Sequence, residues 1–206
     1  MILELKRILR SANYEYTIAE SENIVGSAKF PVRAKLTIEA DIQLLGSLMH
    51  LSVPLMTRSS DNVGRFNIDD RTGCIATDIA GKGLLGRYRL WNVFYGNFQF
   101  RSYEIGFGNK GIYLVLKSGE QTLAIISKTM KTINFLSGYT VYIEDDAFSC
   151  LAITMALYWD IFRYLQSNEA AIRHVEYHRL DTIQKELKSK FDPTFIHKIA
   201  EMEKRR

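Results

Sequence analysis

Residues 81 to 86 read GKGLLG, a G-x-G-x-x-G run of the kind that cradles a pyrophosphate when its glycines end a strand and open a helix. The upstream GCIATDIA is strand-like, as that chemistry requires. The downstream RYRLWNVFYGNFQF is dense in aromatics, carries a further Gly96 and has no 3.6-residue stripe. It reads as two more strands, so Gly81, Gly83 and Gly86 are expected to serve a loop between antiparallel strands. His174 and His178 stand four apart in HVEYH, but the glutamate is out of place for H-E-x-x-H, and a solvated helix face explains the pair. His50 in LMHLSV and His197 in the tail show no partner in the sequence. The acidic runs Asp69/Asp70 and Glu144/Asp145/Asp146 have the spacing of neither a calcium loop nor a carboxylate pair, and read as a turn and a helix cap. No G-x-S-x-G elbow occurs. The expectation is therefore a protein that is not an enzyme and uses no metal or cofactor. Basic positions are the remaining chemistry. Lys82, Arg87 and Arg89 lie in and after the glycine run, and Lys128 and Lys131 flank a turn. If they converge, these five would hold an anionic head group by charge-assisted hydrogen bonds; a solubilising outer face is the alternative.

Such residues need a scaffold, and 206 residues with 47% apolar content can bury one sizeable core. A net charge of +4 is only mildly basic, short of the dense stripe of a nucleic-acid binder. Cys74 and Cys150, the only cysteines, are too few for a disulfide framework or a zinc cluster and suit a reducing compartment. MILELKRILR lacks the apolar core of a secretory signal and is expected to be a packed terminal strand or helix, with a short amphipathic membrane-touching helix as the alternative.

Period-2 alternation dominates from Tyr14 to Glu144. In KLTIEADI, Leu36, Ile38, Ala40 and Ile42 face one way and Lys35, Thr37, Glu39 and Asp41 the other. Similar runs in YEYTI, SLMHLSVPLM, GRFNI, GCIATDI, GRYRLW, NFQFRSYEI, GIYLVLK, QTLAIISK, INFL and GYTVYIE bring the total to about a dozen strands. In NIDDRTGCI a hairpin loop is expected to close with Gly73 in the left-handed region, and Ser118 and Gly119 are expected to turn the chain again. So many hairpins must close on themselves to protect their edges, which predicts an antiparallel barrel.

Residues 147 to 165, AFSCLAITMALYWDIFRYL, abandon alternation and are apolar nearly all round, with Asp145 or Asp146 as a start signal. A helix threaded through the barrel fits this pattern. A membrane span is the alternative, but the uncharged stretch from Ala147 to Trp159 is short for a bilayer. Asp160 and Arg163, three apart, are expected to pair. After residue 166 an amphipathic helix is expected, with Ile172, Val175, Leu180, Ile183 and Leu187 on one stripe. Asp192 and Pro193 then read as the cap and first residue of a second helix. The expected organisation is a barrel with its central helix over 1–166 and a helical extension over 167–206.

The runs YEYTIAESENIVGSAK, RFNIDDRTGCIATDI and GYTVYIEDDAFSCLAITMALYWDIF resemble the layout of the tubby C-terminal-like superfamily, which includes LURP-one-related proteins and phospholipid scramblases. The resemblance covers roughly residues 14 to 165. It implies about twelve strands closed around a hydrophobic helix, and a non-enzymatic binding or scaffold module that takes anionic phospholipid in the cytoplasm or at its membrane surface. No head-group motif of the tubby proteins is matched, so it assigns no binding residue. The alternative is a module that docks a protein partner or a second copy through residues 170–190; no nucleic acid is expected.

Overall fold

The computed structural model describes residues 1–10, 13–31, 37–54, 63–80, 88–107, 111–128, 138–164 and 185–205. Twelve strands follow one another: β1 (Ile2–Arg10), β2 (Asn13–Glu20), β3 (Asn23–Pro31), β4 (Thr37–Leu44), β5 (Ser47–Pro54), β6 (Val63–Ile68), β7 (Arg71–Ala80), β8 (Tyr88–Tyr95), β9 (Phe98–Gly106), β10 (Ile112–Ser118), β11 (Gln121–Lys128) and β12 (Gly138–Ile143). Each pairs antiparallel with the next, and β1 pairs with β12, from Ile2 opposite Tyr142 to Lys6 opposite Gly138, to close the barrel. Among the described residues closure leaves no unpaired edge strand.

Alternation sets the two faces. On β4, Ile38, Ala40, Ile42 and Leu44 are buried while Glu39, Asp41 and Gln43 are exposed. The lumen is filled by α1 (Ser149–Tyr164), whose residues from Leu151 to Ile161 are all buried. Removing Leu151, Ile153, Leu157 and Ile161 from water stabilises the assembly by about 1.5–3 kcal/mol each. As expected, Asp145 starts the helical segment, accepting a hydrogen bond from the Ala147 N–H at 2.9 Å. Among the described residues no helix is long and apolar enough to cross a membrane.

The barrel has a second apolar surface on its outside. Leu90, Tyr103, Ile105, Val115 and Ile125 project outward from β8 to β11 and are covered by Leu187, Phe195 and Ile199. Leu187 lies in a 3-10 turn over Lys185–Lys190, and the other two lie on α2 (Pro193–Lys204), capped by Asp192 as expected. The described part of the tail thus packs on its own barrel. The upper stripe residues Ile172, Val175, Leu180 and Ile183, with His174 and His178, lie outside the described residues.

Residues 2–10 form the packed terminal strand, one of the two expected forms, and its inward series Leu3, Leu5, Arg7 places a buried cation where a third apolar residue would complete the pattern. Two other expectations differ from the structure. Strand β3, absent from the expected set, has a weak pattern because Gly26, Ser27 and Ala28 occupy its middle and its register shifts opposite Ile18/Ala19. In the β6–β7 hairpin the left-handed residue is Asp69, at φ 50°, and Gly73 lies within β7 beneath the Phe66 ring. The run INFL and the loop GKGLLG lie outside the described residues, but Tyr88–Tyr95 and Phe98–Gly106 are strands, as the sequence after the glycines predicts.

Candidate functional site

A meander places alternate connections at opposite ends of a barrel. The turns after β2, β4, β6, β8 and β10 are two residues each, Ser21–Glu22, Leu45–Gly46, Asp69–Asp70, Gly96–Asn97 and Gly119–Glu120. They lie at the end where α1 begins. The longer connections after β3, β5, β7, β9 and β11 leave the barrel at the end where α1 finishes.

Inside that second end, charged and hydroxyl side chains from five strands meet α1. The Asp160 carboxylate, fully buried, accepts from Arg7 Nη1 at 2.9 Å and from the hydroxyls of Tyr16 and Tyr139, with Lys128 Nζ 3.6 Å away. Lys128 also donates to the Tyr139 hydroxyl at 2.7 Å. Burial alone would push the Asp160 carboxyl up. The charges of Arg7 and Lys128 and the two tyrosine hydroxyls outweigh it and hold the group below its ordinary value. Burial, then the Asp160 charge, pushes the Tyr16 hydroxyl well up. One helical turn on, Glu104 of β9 accepts from Trp159 Nε1 at 3.2 Å and pairs with Arg163 Nε at 3.3 Å. The expected pairing of Asp160 with Arg163 is therefore replaced by two pairings to the barrel wall. The wall offers each group an oppositely charged partner in a medium where an unpaired charge is costly. Both Asp160 oxygens are occupied, so this cluster fixes the helix in the lumen and offers no vacant position for chemistry.

The five basic residues named from the sequence separate accordingly. Lys128 is buried in the lumen with Asp160 and Tyr139, withdrawn from any surface ligand. Arg89 is half-buried at the mouth, its guanidinium 5.1 Å from the centre of the Phe162 ring. Lys82, Arg87 and Lys131 lie outside the described residues. They belong to the connections between β7 and β8 and between β11 and β12, which join strand ends at this same mouth.

Strand order then reveals a segregation of charge that composition hides. The sequence of the five long connections holds Arg33, Lys35, Arg58, Lys82, Arg87, Lys110 and Lys131 against Asp61 alone. The five short turns and the two residues after β12 hold Glu22, Asp69, Asp70, Glu120, Glu144 and Asp145 and no lysine or arginine. The signal was present in the sequence, but it appears only when connections are grouped by parity.

A second cluster sits on the outer wall. His50 of β5 bonds Asp41 through Nδ1 and Glu39 through Nε2, each at 2.9 Å, and Ser52 Oγ donates to Glu39 at 2.9 Å. His50 thus has two partners where the sequence showed none. The bond to Asp41 raises its pKa; partial burial opposes that and Glu39 adds to it. Ser52 is bonded to Glu39 and not to the imidazole, so no nucleophile is activated as in a Ser-His-Asp triad. The cluster borders a groove of about 540 Å³ lined by Lys29, Asp41, Leu48, His50 and Asn67. Among the described residues no group of His, Cys, Asp and Glu is arranged to hold a metal.

No family model, curated protein or solved structure matches this chain. Geometry and charge therefore carry the functional reading.

Proposed function

We propose that this protein is a non-enzymatic binding module of the tubby or LURP-one type, which attaches to anionic phospholipid at the cytoplasmic surface of a membrane. The observation that carries the reading is a charge count along the sequence: the five connections that follow β3, β5, β7, β9 and β11 hold seven basic residues against one acidic, while the segment that follows α1 adds two basic and three acidic. A barrel plugged by a helix stores no ligand in its lumen, so recognition falls to its surface. A membrane is a planar array of negative charge, and each lysine or arginine held near it contributes about 1 kcal/mol. Lys82, Arg87 and Lys131, beside Arg89, are the residues assigned to the head groups. Lys128 is not, because Asp160 already holds it.

Co-flotation with liposomes tests the reading. The expected result is flotation with vesicles containing phosphatidylserine, none with pure phosphatidylcholine, and release by salt as screening requires. Charge reversal at Lys82, Arg87 and Lys131 together should abolish it. Equal flotation with neutral vesicles, or no loss in the triple variant, would refute the assignment.

A further inference from the structure

The opposite end of the barrel carries apolar side chains where water-facing turns ordinarily carry polar ones. Three hairpin turns stand side by side there, and each opens with a residue in the left-handed region: Ser21 at φ 55°, Leu45 at φ 51° and Asp69 at φ 50°. A small polar side chain tolerates that conformation, whereas leucine is strained in it, and asparagine or glycine would fill the Leu45 position at lower cost. Burial offers no compensation, since Leu45 is 49% exposed.

Two neighbours share the anomaly, Ile24 at 74% and Leu48 at 66% exposed. Backbone bonds tie the three hairpins together. The Leu45 N–H donates to the Val25 carbonyl at 3.0 Å, next to Ile24. The Leu48 N–H donates to Asp69 Oδ1 at 3.1 Å, and the Asp69 N–H donates to the Leu48 carbonyl at 2.9 Å. Single exposed leucines are ordinary, but an apolar strip across two adjacent hairpins, beside the acidic third, marks a contact surface. Glu22, Asp69 and Asp70 stand exposed on the same turns, with Arg71 beside them.

From this combination we infer that the Ile24, Leu45 and Leu48 strip docks a basic amphipathic segment of another protein. Its apolar side chains would cover the strip and its lysines or arginines would face Glu22, Asp69 and Asp70. The acidic rim disfavours an anionic membrane here, so this contact is independent of the lipid reading and survives its failure.

The test titrates the full-length chain, methyl-labelled at Ile and Leu, with a helical peptide of leucine on one face and lysine on the other. A leucine and glutamate peptide of the same design serves as control. Saturable shifts are expected at Ile24, Leu45 and Leu48 with the lysine peptide alone, weakening as salt is raised. The double variant Leu45→Asn/Leu48→Ser should bind about tenfold more weakly or worse. Its Tm should hold or rise, because asparagine suits the left-handed turn position. Shifts that map elsewhere, or a double variant that binds as tightly as the parent, would overturn the inference. A dimer by light scattering that the double variant dissolves would also overturn it, by making the occupant a second copy of this chain.

Discussion

Replacing Asp160 by asparagine removes one negative charge from between two buried cations and changes almost no volume. Arg7 lies 2.9 Å and Lys128 3.6 Å from the carboxylate. At an effective dielectric of about 20 the two attractions are worth about 6 and 5 kcal/mol before desolvation is counted. Most of that offsets the cost of burying three charged groups, so the measurable loss is that of removing the buried negative charge from beside Arg7 and Lys128, about 3–5 kcal/mol. A chain of this size then melts about 6–20 °C lower. Urea denaturation at neutral pH, followed by the fluorescence of Trp159 beside the site, reads the difference directly. The deficit should also depend on pH in one direction. The folded pKa of Asp160 is depressed, so its contribution is fully present above the unfolded value near 3.9 and is lost as pH falls through the folded value. Parent and variant should therefore converge in acid. Replacing the group by methionine at Arg7 and Lys128 and leucine at Asp160 should recover most of the loss, since an apolar cluster of similar volume is often as stable as a buried ion pair. A loss below about 1 kcal/mol in Asp160→Asn, or one that persists unchanged into acid, would refute the account of Asp160 as the counter-ion that holds α1 in place.

Two further outcomes follow from the same geometry. Gly73→Ala would set a Cβ 2.2 Å from Cζ of the buried Phe66 ring, so it should destabilise by about 1–3 kcal/mol, and Phe66→Leu in the same chain should recover part of that; an unperturbed Gly73→Ala melting curve would contradict the packing. By NMR titration His50 should ionise above 6.5, with its stabilising contribution present below that value and lost as pH rises through the folded pKa; Asp41→Asn should move the midpoint down, and an unmoved midpoint would remove Asp41 as the main cause.

The parts of the fold legible in the sequence are those where one local rule acts. KLTIEADI reads as a strand because its apolar and charged residues alternate without exception, and the run after Asp145 reads as a lumen helix because no face of it is polar. The parts that were not legible depend on residues far apart in the chain. Arg7 disguises β1 as amphipathic, and only a carboxylate 153 residues later explains why a cation points inward. Asp160 and Arg163 have the right spacing to pair with each other, yet both are claimed by the wall, which helical spacing cannot reveal. His50 was closer to reach. A two-residue Leu45–Gly46 turn sets Asp41 directly opposite it, so a register drawn from that turn shows the contact. Val115 and Ile125 are apolar on the outer face of β10 and β11, against the alternation read there, and the reason is the tail laid across them.

Closure between β1 and β12 also governs how this chain can be made. The first strand leaves the ribosome about 140 residues ahead of its second partner, since Ile2 pairs with Tyr142. At about 5–20 residues per second that is an interval of roughly 7–28 s. Throughout it the growing sheet is a curved ribbon with β1 as an open edge and an apolar concave face. The helix that fills that face is synthesised only after the twelfth strand. The nascent chain is thus most vulnerable to aggregation late in its own synthesis, when nearly all the wall exists and the plug does not.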